Sequence, residues 1–169
     1  SLDESARLVA GVFSRNAEKS KKMGEVLHIE EERCYKDYET MALEEAKRED
    51  GIDFVVVVTP NASHYEICKA FLNAGIHVVC DKPVTTTYEK AVELQKLAEE
   101  KSLLFMVTYT YMGHVTAKYA RDLIASGAIG DVRAVMAEYP QGWLAFEDNV
   151  GGKQGEWRCD PAQSGGGNC

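Results

Sequence analysis

The chain has 169 residues, 45% of them hydrophobic and 27% charged, which suits one domain of ordinary size, or one domain with part of another, and argues against disorder. Its 19 basic residues stand against 27 acidic ones, a formal charge of -8, so nucleic acid is a poor candidate for the main partner: phosphate binding wants a basic face. No apolar run approaches the roughly 20 residues of a membrane span, and Ser1-Leu-Asp-Glu-Ser5 lacks the basic-then-apolar form of a secretory signal, so the expectation is a soluble, cytoplasmic protein without a membrane partner.

Leu8 to Phe13 reads as a short apolar strand ending in Ser14-Arg15-Asn16, followed by a helix from Ala17 to about Gly24. Val26 to Tyr38 has no clear period and reads as loop with one short strand near Cys34, and Tyr38 to Arg48 reads as a surface helix with Asp50-Gly51 as its exit. Phe54 to Val58 is an unbroken β-branched run, the pattern of a parallel strand buried on both faces. Thr59-Pro60-Asn61 stops it, and from Ser63 the residues Ile67, Cys68, Phe71 and Leu72 recur at helical spacing until Gly75. Ile76 to Cys80 is the next strand and Asp81-Lys82-Pro83 its end, which completes a βαβ unit. Thr85 to Thr87 offer cap hydroxyls to a helix ending near Lys101. Leu103 to Val107 is a third buried-type strand with a polar, aromatic exit from Thr108 to His114, and Val115 to Ser126 a helix closed by Gly127. Val132 to Tyr139 alternates in the manner of an antiparallel strand with one wet face, and beyond Pro140 the chain reads as loop.

Ligands bind open α/β sheets at the carboxyl ends of the parallel strands, so Thr59-Pro60-Asn61 and Asp81-Lys82-Pro83 fall on one functional edge. The glycine-rich G-x-G-x-x-G turn of a doubly wound nucleotide-binding domain does not occur. If Leu8 to Phe13 is the second strand of such a sheet, the first strand and its phosphate loop lie outside the chain, which then reads as the middle of a longer protein. The five cysteines, an odd number without CxxC spacing, and four scattered histidines indicate neither a disulfide framework nor a metal site.

Val57-Val-Thr-Pro-Asn-Ala-Ser-His64, Ala74-Gly-Ile-His-Val-Val-Cys-Asp-Lys-Pro83 and Ile124-Ala-Ser-Gly-Ala-Ile-Gly-Asp131 together resemble the glucose-fructose oxidoreductase and inositol dehydrogenase family, Gfo/Idh/MocA, from about Leu8 onward. The family's Glu-Lys-Pro stands here as Asp81-Lys82-Pro83. The resemblance implies a Rossmann-like doubly wound α/β domain followed by the start of an α/β domain with a mainly antiparallel sheet. Residues 1–112 would be a partial dinucleotide-binding domain, and 113–169 a linking helix and the beginning of a substrate and oligomerisation domain. It further implies hydride transfer between NAD or NADP and a sugar, cyclitol or related polyol, in a homo-oligomeric dimer or tetramer. The family's Asp-x-Gly-x-x-x-His segment, expected just after Ser164-Gly-Gly-Gly167, does not occur before Cys169, so this stretch alone is expected to be inactive.

Lys82 is the expected catalytic residue, an ammonium placed to hold the reacting oxygen, with Asp81 to orient it and Pro83 to fix the backbone through a cis bond. Thr59, Pro60, Asn61, His64, Asp81, Lys82, Pro83 and Tyr109 are expected to contact the cofactor; Asn61 could at the same time cap the following helix, and for His64 an exposed first-turn residue explains the position equally well. Ser14 and Arg15 stand where an acid would bind the ribose of NAD; none is present, which favours NADP slightly over NAD. Trp157 and Arg158 are candidates for substrate contact, while Gln141, Trp143 and Tyr111 have no role selected by the sequence. Two rival readings remain open: a non-catalytic nucleotide-binding or regulatory protein of the same fold, and a lyase forming a Schiff base at Lys82.

Overall fold

The computed structural model describes residues 5–14, 16–140, 142, 145 and 152–165. Three parallel strands, β1 (Phe54–Val57), β2 (His77–Cys80) and β3 (Phe105–Val107), pair in sequence order. The register sets Phe54 beside His77 and Val57 beside Cys80, then Val78 beside Phe105 and Cys80 beside Val107. All three therefore run their carboxyl ends to one edge. Helices α1 (Ala17–Val26) and α2 (Tyr38–Glu45) precede the sheet, α3 (His64–Asn73) and α4 (Tyr88–Glu100) join its strands, and α5 (Val115–Ala125), α6 (Lys153–Arg158) and α7 (Pro161–Ser164) follow it. No helix among the described residues is long and apolar enough to cross a membrane.

The core lies between the sheet and α3. Ile67, Cys68, Phe71 and Leu72 form the buried stripe of α3 and pack with Val57, Val78 and Cys80 from the sheet and with Leu94 and Ala98 from α4. Because side chains alternate across a strand, the same register sends Phe54, Val56 and Met106 to the opposite face. Those three are 43%, 52% and 57% exposed. The strand expected to be buried on both faces thus has one covered and one open face.

Helix ends follow local chemistry. Gly75 adopts φ 84°, and its N–H and that of Ile76 donate to Leu72 O at 3.1 Å and Phe71 O at 3.0 Å, a Schellman closure of α3. Gly127 closes α5 in the same way. The end of α1 differs from expectation: Gly24 lies inside the helix, where an added Cβ would collide with Cys34 Sγ, and His28 takes the left-handed position instead. At the start of α2, Asp37 Oδ1 accepts from Thr40 N at 2.6 Å. Asp37→Ala is expected to cost about 1 kcal/mol of stability, the usual worth of an N-cap, read as a lower urea midpoint.

Leu8 to Phe13 does not form a strand of the sheet. It makes a single parallel bridge, Gly11 to Cys34, which is also what stands where a short strand near Cys34 was expected. Beside it lies a buried polar network that the loop-like sequence conceals. Glu45 Oε1 accepts from Arg33 Nε at 3.0 Å and from Tyr35 Oη at 2.8 Å, and Arg33 Nη2 donates to Glu45 Oε2. Burial, then the Glu45 carboxylate, pushes Tyr35 up to about 12. Val132 to Tyr139 belongs to no ladder among the described residues and is exposed. A strand needs a neighbour for its N–H and C=O groups, and none of the described residues pairs with it.

Candidate active site

The three strand ends bring three short polar segments to one edge. After β1, Thr59 and Pro60 are exposed, and Ser63 Oγ lies 2.7 Å from both Thr59 Oγ1 and Pro60 O. After β2, Asp81 N donates to Val57 O at 2.9 Å, extending the β1–β2 pairing into the loop. After β3, Thr108 N donates to Cys80 O at 3.0 Å and its hydroxyl donates to Asp81 Oδ1 at 2.7 Å. Burial would raise the Asp81 carboxyl, but the Thr108 hydroxyl, the Lys82 backbone N–H and the Lys82 and His64 charges together hold it below the usual range. The Lys82–Pro83 peptide is cis and the Lys82 side chain is exposed. A carboxylate fixed on one side and a proline on the other thus frame an exposed ammonium at the mouth of the edge.

One expected cofactor contact, His64, and the helix-cap alternative for Asn61 are placed differently. His64 is 0% exposed, so its ring offers no surface to a ligand. Its Nδ1 lies 2.8 Å from Pro83 O and its Nε2 2.7 Å from Thr59 O, behind the two loops. The exposed first-turn alternative fails for the same reason. Asn61 caps no helix: the N-cap of α3 is Ser63, which makes no side-chain cap bond, and Asn61 Nδ2 donates to Ser164 O at 2.9 Å, tying the turn after β1 to α7. At that contact Gly165 approaches Thr86 so closely that a Cβ would meet its side chain at 2.7 Å.

Tyr109 follows Thr108 on the edge and is exposed. Ser14 lies in the turn before α1, where its Oγ accepts from Asn16 N at 3.1 Å; no hydrogen bond among the described residues joins it to the strand-end loops. Arg15, Gln141 and Trp143 lie outside the described residues. Trp157 and Arg158 sit on α6, with the guanidinium 4.9 Å from the centre of the indole ring. Tyr111 reaches Tyr139 instead, hydroxyl to hydroxyl at 2.6 Å. Sequence reasoning put Thr108 on this edge but foresaw neither its bond to Asp81 nor the bond of Ser63 to Thr59. Their only signal is position, as polar residues directly beyond a strand or opening a helix. Among the described residues, no three His, Cys, Asp or Glu side chains gather so as to hold a metal ion.

Residues 2–109 match the model of an oxidoreductase family described by its NAD-binding Rossmann fold, GFO_IDH_MocA, and residues 117–168 match a GFO/IDH/MocA C-terminal domain. The chain belongs to the Gfo/Idh/MocA family. Among similar Gfo/Idh/MocA structures is an inositol dehydrogenase homolog from Azotobacter vinelandii complexed with NAD+, 39% identical, with a TM-score of 0.91 over 96% of this chain and 42% of that one. The same kind of protein from that organism, complexed with NADH and myo-inositol, is 43% identical, with a TM-score of 0.75 over 78% of this chain and 35% of that one. The oxidoreductase YfiI of Bacillus subtilis (strain 168) is 44% identical over 94% of this chain and 41% of its own length. The chain therefore spans about two fifths of the relatives it matches. The Rossmann-like α/β fold with its parallel sheet agrees with the sequence reading.

Proposed function

We propose that the protein is an NAD(P)-dependent oxidoreductase that moves a hydride between the nicotinamide and a hydroxyl-bearing carbon of a cyclitol, sugar or related polyol, in the cytoplasm and as a homo-oligomer. The observation that carries the reading is the convergence of Thr59-Pro60, Asp81-Lys82-Pro83 and Thr108-Tyr109 on one sheet edge, with an exposed Lys82 at its centre. Residues 1–112 would serve the cofactor, and 113–169 would lead into the substrate side. The described groups suit the nicotinamide half of the cofactor: Thr59, Pro60 and Tyr109 offer open surface beside the strand ends. Bound NAD(P) supplies the hydride acceptor. Lys82 would hold the substrate oxygen and stabilise the negative charge that grows on it, while the hydroxyl proton would pass to the acid/base histidine of the Asp-x-Gly-x-x-x-His segment that the family resemblance implies; Asp81 would keep the ammonium oriented, and Trp157 and Arg158 would reach the polyol from α6.

The choice of cofactor shifts in this reading. The sequence favours NADP for want of an acid after Phe13, yet the neighbours crystallised with NAD+ and NADH support NAD(H). A Bacillus subtilis relative named as an NADP(+)-dependent scyllo-inositol 2-dehydrogenase keeps both in the experiment. Titrating the natural full-length protein with each cofactor by fluorescence is expected to show NAD(H) binding at least about tenfold more tightly, roughly the worth of one ribose hydroxyl contact. Tighter NADP(H) binding would return the assignment to the sequence reading, and binding of neither would remove the enzyme proposal.

A further inference from the structure

His64 presents both ring nitrogens to acceptors. The partners of Nδ1 and Nε2, the carbonyl oxygens of Pro83 and Thr59, can only accept. A neutral imidazole has one N–H and one lone pair, so either neutral tautomer would aim a lone pair at a carbonyl oxygen in a site closed to water. The doubly protonated ring meets both oxygens and makes both hydrogen bonds charge-assisted. We propose that His64 is a positioning residue held as an imidazolium in the folded protein, a charged strut that fixes the Asp81-Lys82-Pro83 loop against the turn after β1.

Its surroundings support that charge. Facing it from the end of β2 are the Asp81 carboxylate, kept ionised as described above, and the Cys80 sulfur, whose pKa the hydrogen bond from Cys68 and then the His64 ring pull down against burial, so that the sulfur can carry the matching negative charge. From its own helix comes Cys68, whose hydrogen bond to Cys80 and burial push its thiol up, so it stays neutral. The turn after β1 contributes the Thr59 carbonyl. The charged groups of the α3–α4 contact are turned away: Lys69 pairs with Glu93 at 2.7 Å, and Lys69 and Lys90 lie over the Tyr65 ring. Burial alone would push His64 down, but the Cys80 sulfur and the Pro83 and Thr59 carbonyls outweigh it and carry the ring up to about 9. A group raised on folding stabilises the fold fully below its ordinary value of 6.5 and loses that contribution as pH rises through about 9. Deprotonation removes one of the two hydrogen bonds and with it the link between the Thr59 and Pro83 carbonyls.

This inference draws on the proposed function only for what Lys82 does; the state of the ring is independent of it. The test is the nitrogen NMR spectrum of the histidine rings in the ligand-free, natural full-length protein, with His64 assigned from its loss in His64→Gln. Should that variant fail to fold, replacing His28, His77 and His114 leaves His64 as the remaining ring of this stretch. The expected result is two protonated nitrogens at neutral pH and a midpoint near 9. An unprotonated nitrogen at neutral pH, or a midpoint at or below the ordinary 6.5, overturns the proposal. In turnover, His64→Gln is expected to lower kcat by about 10- to 100-fold, the scale of a misplaced reacting group, with KM changed far less. Equal loss in kcat and cofactor affinity overturns the positioning role. A ring that titrates near 9 in a protein without hydride transfer would keep the strut and remove the enzyme reading.

Discussion

Lys82→Met lowers the rate of hydride transfer by about 10²- to 10⁴-fold, the range for losing a general acid–base or oxygen-holding group, and weakens cofactor binding far less. The expectation follows from how the edge is built. The residue before Lys82 is anchored twice, by its N–H on Val57 O at 2.9 Å and by its carboxylate under the Thr108 hydroxyl at 2.7 Å. The residue after it is held by His64 through its carbonyl at 2.8 Å. Lys82 is therefore an exposed ammonium on a fixed backbone, and methionine keeps its length and apolar stem while removing the charge. Lys82→Arg is expected to recover little, because a planar guanidinium does not place a single donor where the ammonium does. Steady-state kinetics with a cofactor titration on the same preparation separate the two effects. Comparable losses in turnover and cofactor affinity would make Lys82 a binding residue only.

Glu45→Ala destabilises the fold by about 3–5 kcal/mol, because it leaves the Arg33 guanidinium buried without its anion. Arg33 and Glu45 are both nearly inaccessible, and the carboxylate also receives the Tyr35 hydroxyl at 2.8 Å. The remaining acid near Arg33, Asp50, is largely exposed and reaches Nη1 at 3.3 Å, too weak a partner to replace Glu45. Replacing both members, Arg33→Met with Glu45→Leu, is expected to cost much less than the single change, since no orphaned charge is left. Urea unfolding of the three proteins tests this; a double variant as unstable as Glu45→Ala would mean that the network is valued for shape and not for paired charge.

The central βαβ unit was legible because each of its signals is local. The β-branched run of β1, the Phe71 and Leu72 stripe of α3, the left-handed Gly75 and the Thr87 hydroxyl that caps α4 depend on neighbours a few residues away. What the sequence concealed depends on distant partners. The role of Asn61 was hidden because its amide bonds Ser164, 103 residues on, and the burial of His64 because its acceptors lie on two different loops. The Arg33–Glu45 pair lies in a stretch whose charges look like a solvated loop until α2 folds over it. The open face of β1 was unreadable for a related reason: a run of valines fits a strand covered twice or once, and only the layer opposite decides which. Of the expected site, Thr59, Pro60, Asp81, Lys82, Pro83 and Tyr109 share one edge, Asn61 is committed to α7, and His64 lies behind.

Transfer of label from substrate to cofactor tests the central claim most directly. The natural full-length protein would be incubated with NAD+ and myo-inositol carrying deuterium on its ring carbons, and the reduced cofactor recovered and weighed by mass spectrometry. The account predicts NADH that has gained a single deuterium, and loss of that product in Lys82→Met. Reduced cofactor without label, or none with any cyclitol or sugar offered while NAD(H) still binds, would contradict hydride transfer at this edge and leave a nucleotide-binding protein of the same fold.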